Sequence, residues 1–227
     1  MSISLASYDQ ILSLTNQNSL SPSKQIPRKL PAVTRSCHKR TLVLDLDETL
    51  VHSSSTPIEN PDDIVYLTSG PQKKTLYVKY RPGLFEFLNR VSQKFELVIF
   101  TASTKEYAEQ VINRFDCQRR ILKHRLYRED CTENSGHYIK DLERLGRDLS
   151  KVIILDNSVT AFLYHLNNGI PITSWYSDQN DQELGKVCFI LEKLTEVEDV
   201  RPTLNSFFNL PKLMEEFKNS LMKVDVR

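Results

Sequence analysis

The sequence has few cysteines and no long apolar run, and both absences limit what the protein can be. Its four cysteines (Cys37, Cys117, Cys131 and Cys188) are scattered, with no Cys-x-x-Cys pair and no histidine at ligand spacing. This disfavours a disulfide framework or a structural zinc site, so we expect a reducing compartment. No apolar run reaches the ~20 residues that a membrane-spanning helix needs. No charged segment followed by an apolar stretch opens the chain, so we expect a soluble protein that is not secreted.

The chain also lacks an excess of charge of one sign. Its formal net charge of +1 gives no reason to expect direct binding to nucleic acid or to an anionic membrane surface. Hydrophobic residues make up 40% of the 227 residues, which is enough for one buried core. Residues 1–38 are rich in Ser, Asn, Gln and Pro, and this composition predicts a mostly disordered tail.

Apolar segments of strand length alternate with amphipathic helical segments between residues 39 and 200. This alternation predicts an α/β domain whose parallel central sheet is flanked by helices. Two further strand-like runs flank Ser69-Gly70-Pro71 and predict a small β-hairpin inserted after the first strand, within residues 53–80. A helical extension over 201–227 is expected to break near Pro211. The predicted strands are 41–44, 96–100, 152–155 and 170–174, and the predicted helices are about 82–95, 103–115 and 184–194.

Polar residues follow three of these strands where the strands end. Sites in open parallel sheets form beyond the carboxyl ends of strands, and Mg²⁺ prefers carboxylate and amide oxygens. Taken alone, the two aspartates of the first stretch are as compatible with a solvated turn as with catalysis. Thr101 is interpreted as a phosphate contact, and Ser103 as the cap of the following helix. The three stretches are Asp45-Leu46-Asp47-Glu48-Thr49, Thr101-Ala102-Ser103 and Asp156-Asn157-Ser158.

Four stretches, in order, resemble the motifs of the FCP/SCP phosphatases, which are NLI-interacting-factor-like members of the haloacid dehalogenase superfamily. The similarity covers about residues 39–200, and four ordered motifs at the predicted structural positions are a specific signal. Over residues 120–178 the chain is most similar to Dullard-type nuclear-envelope phosphatases. The resemblance implies a Rossmann-like haloacid dehalogenase fold. The four motifs are Asp45–His52, Phe100–Ser103, Tyr138–Leu142 and Ile154–Ser158.

The resemblance also implies an activity and a role for each motif residue. The expected enzyme is a Mg²⁺-dependent phosphoserine/phosphothreonine protein phosphatase, in which Asp45 attacks phosphorus and Asp47 serves as general acid and base. Mg²⁺ would bind Asp45, the main-chain carbonyl of Asp47 and Asn157. Asp156 would order metal-bound water or position Lys140. The residues expected at the substrate phosphate are Thr101, Lys140 and Arg128, with Arg81 given a structural role.

Family resemblance extends to partners and location. Members act on the RNA polymerase II tail, on regulators of lipid synthesis and on signalling proteins, so we expect a phosphoprotein substrate. A nuclear or cytoplasmic location is expected, and recruitment to the nuclear envelope by a membrane-anchored regulatory partner stays open. Two alternatives also stay open. A larger enclosing cap would favour a small-molecule phosphatase, and loss of Asp45, Asp47 or Asn157 would favour a catalytically weak phosphoprotein-binding scaffold.

Overall fold

The centre of the protein is a parallel sheet of five strands. The computed structural model describes residues 27–32, 40–69, 72–117, 120–134 and 136–222. The sheet strands are β1 (Arg40–Leu44), β5 (Phe95–Phe100), β6 (His124–Leu126), β9 (Val152–Asp156) and β10 (Gly169–Pro171). Their order across the sheet is β10-β9-β1-β5-β6, and every neighbouring pair is parallel. The predicted α/β class with a parallel sheet is confirmed.

Both faces of this sheet are buried, because alternate strand residues point to opposite sides. Leu42 and Leu44 belong to one hydrophobic cluster, with residues of the first four helices, whereas Val43 belongs to a second cluster on the other face. The helices are α1 (Leu84–Lys94), α2 (Lys105–Phe115), α3 (Glu183–Leu194), α4 (Val200–Phe208) and α5 (Leu210–Met222).

The insertion after β1 is a three-stranded antiparallel sheet. It consists of β2 (Val51–Ser54), β3 (Asp63–Ser69) and β4 (Gln72–Tyr80), in the order β2-β4-β3. The predicted hairpin corresponds to β3 and β4. The additional strand β2 was not predicted, because three of its four residues are polar and it shows no alternation of apolar side chains.

Several short elements lie between the long ones. A two-stranded hairpin pairs β7 (Thr132–Asn134) with β8 (His137–Ile139), and 3₁₀ turns span Val159–Asn168. Strands of three residues are too short to show a periodic pattern, so the sequence did not predict β6, β7 or β8. The fourth predicted strand is also shorter than expected, since β10 ends at Pro171.

Segments at the two ends of the described chain pack against the domain. Leu30 is buried in the second hydrophobic cluster, and Lys29 forms an ion pair of 2.9 Å with Asp130. The rest of the predicted tail, 1–26 and 33–38, lies outside the described residues, and its disorder stays a prediction. The C-terminal helices separate at Asn209, which is left-handed (φ 47°), rather than at Pro211. None of the helices in the described ranges is long and apolar enough to cross a membrane.

Candidate active site

The chemical residues of the motifs meet at the carboxyl edge of the central sheet. Asp45 directly follows β1, Thr101 follows β5, Asp156 ends β9, and Lys140 follows β8. Together with Asn157 they line one open cavity of about 370 Å³. The structure thus brings these five residues to one cavity, and Lys140 arrives from the small hairpin rather than from the central sheet.

Lys140 is a buried cation held between two carboxylates. Its Nζ lies 2.5 Å from Asp45 Oδ1 and 2.6 Å from Asp156 Oδ2, and its side chain is only 1% exposed. Burial alone would lower the pKa of Lys140, but the Asp156 and Asp45 carboxylates outweigh burial and hold it above its ordinary value. Burial raises the pKa of Asp156, and the nearby Asp45 carboxylate adds to this rise.

The Thr49 hydroxyl lies between two oxygen atoms, one of Asp45 after β1 and one of Asn157 after β9. Thr49 Oγ1 donates to Asp45 Oδ2 at 2.8 Å and lies 3.2 Å from Asn157 Oδ1. The Asn157 Nδ2 group donates to Ser174 Oγ at 2.9 Å, which leaves the amide oxygen on the side of Asp45. Carboxylate and amide oxygens in this arrangement are hard ligands that suit Mg²⁺.

No group of three or more His, Cys, Asp or Glu side chains in the described ranges has the geometry of a metal site. The expected donor set contains only one side chain of these four types, the Asp45 carboxylate, beside the Asn157 amide and the Asp47 main-chain carbonyl. Mg²⁺ keeps several waters in such sites, so it does not need a cage of acidic side chains.

The Asp47 side chain contacts two hydroxyl groups at the start of α2. Ser103 Oγ donates to Asp47 Oδ2 at 2.7 Å, and the Tyr107 hydroxyl donates to Oδ1. Burial raises the pKa of Asp47 to about 6, although these two hydrogen bonds act in the opposite direction. A carboxyl group with a pKa near neutrality can both release and accept a proton under physiological conditions. The prediction that Ser103 caps the helix is wrong, since Thr104 occupies the N-cap position and Ser103 contacts Asp47 instead.

Thr101 and Arg128 also line the cavity. Thr101 is 1% exposed, and its Oγ1 accepts a hydrogen bond of 3.0 Å from the Ser103 backbone N–H. Arg128 is exposed, donates from Nε to the Ala102 carbonyl at 2.6 Å, and stacks over the Tyr138 ring at 5.0 Å. Both residues line the cavity, so each is placed where a phosphate group could be reached.

Arg81 and Glu48 make hydrogen bonds that hold the loop after Asp47 in place. Arg81 is buried and pairs with Asp181 through Nε and Nη2, each at 2.8 Å. Glu48 adopts a left-handed conformation (φ 58°), and its carbonyl accepts a hydrogen bond from the Trp175 backbone N–H at 2.8 Å. Non-glycine residues in this region of φ/ψ space are uncommon and are often found at functional sites.

Sequence reasoning missed three polar residues that contact the predicted catalytic pair. Thr49 contacts Asp45, while Ser103 and Tyr107 contact Asp47. In the sequence, Thr49 stands out only as a member of the Asp45–His52 motif. Tyr107 lies four residues after Ser103, one helical turn away, but this spacing alone does not indicate that both side chains turn towards the preceding strand ends.

The chain is similar to a known protein family and to several curated proteins. The family model described as "NLI interacting factor-like phosphatase" matches residues 40–201. A "Probable C-terminal domain small phosphatase" of Dictyostelium discoideum is 45% identical over 194 residues, which are 86% of this chain and 63% of that relative. "CTD small phosphatase-like protein 3" of Caenorhabditis elegans is 44% identical over 207 residues, covering 89% of this chain and 71% of the relative.

Solved structures show the same fold at lower identity. The fission yeast RNA polymerase II CTD phosphatase Fcp1, bound to beryllium fluoride, superposes with a TM-score of 0.53 at 22% sequence identity. This match covers 80% of the present chain and 62% of the Fcp1 chain. The chain therefore spans about two thirds of the length of several of these proteins, and a third of a longer relative, the "CTD small phosphatase-like protein 2" of Dictyostelium discoideum (35%).

Proposed function

The chain belongs to the NLI interacting factor-like phosphatase family, and from this premise we propose that it is a Mg²⁺-dependent phosphoserine/phosphothreonine protein phosphatase. The observation that carries the proposal is the convergence of Asp45, Lys140 and Asn157, from separate elements, on one cavity that Asp47 also lines. A catalytically weak scaffold would not need a buried cation paired with the nucleophile candidate and a second carboxyl group with a raised pKa.

Asp45 is the proposed nucleophile. One of its oxygens accepts a hydrogen bond from Lys140 and the other accepts one from Thr49, so the carboxylate is fixed in orientation. Its attack on phosphorus would form an aspartyl phosphate and release the serine or threonine oxygen. Water would then attack phosphorus of this intermediate, release inorganic phosphate and regenerate the carboxylate.

Asp47 is the proposed general acid and base. It would give a proton to the departing oxygen in the first step and accept one from the attacking water in the second. These roles need a carboxyl group that is not neutralised by Lys140, and the Asp47 side chain contacts hydroxyl groups instead.

An anionic nucleophile and a phosphate dianion repel each other, so the site needs positive charge and hydrogen-bond donors. When bound, Mg²⁺ would supply Lewis-acid charge neutralisation, held by the Asp45 carboxylate, the Asp47 main-chain carbonyl and Asn157. Lys140, Thr101 and Arg128, which all line the cavity, would donate to the phosphate oxygens. Asp156, with one oxygen on Lys140 and the other on the Ser158 backbone N–H, would hold the lysine in position.

A peptide substrate fits this cavity better than a small phosphorylated metabolite. The insertion between β1 and α1 is a three-stranded sheet of residues 51–80, and the cavity beside it is open to solvent. A superfamily member that acts on small molecules would be expected to enclose them. Relatives are named as C-terminal domain phosphatases, one of them for RNA polymerase II, which makes the phosphorylated tail of that polymerase a candidate substrate. A lipid-synthesis regulator is the second candidate.

The test measures hydrolysis of p-nitrophenyl phosphate and of peptides that carry phosphoserine, phosphothreonine or phosphotyrosine. We expect turnover of the aryl phosphate and of the first two peptides, loss of activity in EDTA, and recovery with Mg²⁺. Asp45→Asn should abolish activity, whereas Asp148→Asn, which alters an exposed aspartate outside the cavity, should retain it. Preference for a small phosphorylated metabolite over every peptide would favour the small-molecule alternative, and absence of any turnover would favour the scaffold.

Location and partners follow as part of the same proposal. We propose a nuclear or cytoplasmic protein that a membrane-anchored partner can recruit to the nuclear envelope. Fluorescence imaging of the tagged chain, with and without overexpressed candidate partners, would test this, and uniform exclusion from nucleus and envelope would contradict the nuclear part.

A further inference from the structure

The Asp47 carboxylate is held from two sides by hydroxyl groups. Ser103 Oγ donates to Oδ2 at 2.7 Å, and the Tyr107 hydroxyl donates to Oδ1. Each carboxylate oxygen thus has its own donor, so the group cannot rotate without losing a hydrogen bond. A proton donor must lie within about 2.6–3.2 Å of the atom that it protonates, so the orientation of this carboxyl group decides whether transfer is possible.

We propose that Tyr107, assisted by Ser103, is the positioning residue that orients Asp47 for proton transfer to the leaving oxygen. This inference rests on the proposed function. In the first step an Asp45 oxygen bonds to phosphorus and the bond from phosphorus to the serine oxygen breaks. The electron pair left on that oxygen takes the proton of the Asp47 carboxyl group, which becomes a carboxylate. Tyr107 keeps its own proton and only donates a hydrogen bond.

Tyr107 also connects Asp47 to the inserted sheet. Its hydroxyl oxygen lies 2.7 Å from Oγ of Ser53, a residue of β2. The β2 strand pairs with β4 from Val51 to Ser54, so Ser53 is fixed by the ladder of the insertion. The position of Tyr107 is consequently set by both α2 and the insertion, and removal of the Ser53 hydroxyl should cause a smaller defect of the same kind.

A suitable substitution separates the role of Tyr107 in positioning Asp47 from a purely structural role. The ring is partly buried and packs against the main hydrophobic cluster, so its loss would damage folding. Tyr107→Phe keeps the ring and removes only the hydroxyl. Tyr80→Phe is the matched control, because the Tyr80 hydroxyl donates to Asp63 of the insertion at 2.6 Å, whereas the Tyr107 hydroxyl donates to Asp47.

The experiment compares substrates that differ in how much they need a proton donor. A p-nitrophenolate group leaves readily without protonation, whereas a serine alkoxide does not. Single-turnover rates are measured with p-nitrophenyl phosphate and a phosphoserine peptide at saturating substrate and Mg²⁺. For Tyr107→Phe we expect a loss of about 10- to 100-fold with the peptide and within about threefold with the aryl phosphate. Ser103→Ala should show the same asymmetry, and Tyr80→Phe should show none.

A second arm repeats Tyr107→Phe in the Asp47→Asn background. If Tyr107 acts only through Asp47, the added substitution should change the peptide rate by less than about twofold. Equal losses on both substrates, or a full additional loss in the Asp47→Asn background, would overturn the role of Tyr107. Retention of activity by Asp45→Asn would instead contradict the proposed function, and the inference with it. Circular dichroism of each variant verifies the fold.

Discussion

Replacement of Lys140 by methionine should strongly destabilise the protein, because it leaves two buried carboxylates without their cation. Methionine has a similar length and can fill the space of the lysine stem. The lysine Nζ lies 2.5 Å and 2.6 Å from oxygens of Asp45 and Asp156, and the side chain is 1% exposed. At an effective dielectric constant of about 20, each contact is worth roughly 6–7 kcal/mol of gross Coulomb attraction.

Desolvation of the three groups and repulsion between the carboxylates cancel much of that attraction. Removal of one partner from a buried ion pair nonetheless costs about 3–5 kcal/mol, because the buried charge that stays behind is no longer compensated by an opposite charge. We therefore expect Lys140→Met to lower the free energy of unfolding by about 3–5 kcal/mol near neutral pH. The loss should shrink as the pH falls, since protonation neutralises the Asp156 carboxyl group.

The assay is urea unfolding followed by the fluorescence of Trp175, the single tryptophan of the chain. Trp175 is buried, so its emission should change when the protein unfolds. Measurements are made in EDTA, so that a bound cation cannot replace the lysine. Lys151→Met, which alters an exposed lysine, serves as the control and should change stability by less than about 0.5 kcal/mol. A loss below about 1 kcal/mol for Lys140→Met would refute the buried-cation reasoning.

Two further predictions concern stability, one at the Arg81–Asp181 ion pair and one at the contact between Gly169 and Phe162. Asp181→Asn should lower stability by about 3–5 kcal/mol at neutral pH by leaving the Arg81 guanidinium buried without its carboxylate. Burial alone would raise the pKa of Asp181, but Arg81 lowers this pKa below its ordinary value. The Arg81–Asp181 ion pair therefore stabilises the fold above the pKa that Asp181 has in the unfolded state. This contribution is lost as the pH falls through the pKa of Asp181 in the folded state. Equal effects in urea melts at acid and neutral pH would contradict this. Gly169→Ala should destabilise by about 1–3 kcal/mol, because its new Cβ would meet the Phe162 ring at 2.1 Å. Thermal melts should show rescue by Phe162→Leu, and no loss in the single variant would contradict the contact.

The long elements could be predicted from the sequence because each has a clear physical signature. The apolar runs of β1, β5 and β9 are typical of strands buried on both faces, and the structure places all three in the centre of the sheet. The apolar spacing in α1 and α3 likewise matches their buried faces. Short strands carry no comparable pattern, and β2, β6, β7 and β8 were missed for that reason.

The candidate site was predictable to the level of which strand ends meet, but not to the level of hydrogen bonds. Asp45 and Asn157 follow strands, and Asp156 ends one, whose carboxyl ends must share one edge, so the convergence of these residues follows from topology. The direction of the Asp47 side chain does not follow from topology, because it depends on the backbone of the loop after β1, in which Glu48 is left-handed. The prediction that Ser103 is the N-cap was wrong because the helix begins one residue later than the capping pattern indicates, with Thr104 at the N-cap.

The most direct test of the whole account is to trap the covalent intermediate. The protein is mixed with excess phosphoserine peptide and Mg²⁺, quenched in acid during turnover and reduced with borohydride, which converts an aspartyl phosphate into homoserine. Mass spectrometry of the digest should then find homoserine at position 45, and none when the substrate is omitted. Homoserine at another aspartate, or continued turnover with unmodified Asp45 in every quenched sample, would contradict Asp45 as the nucleophile.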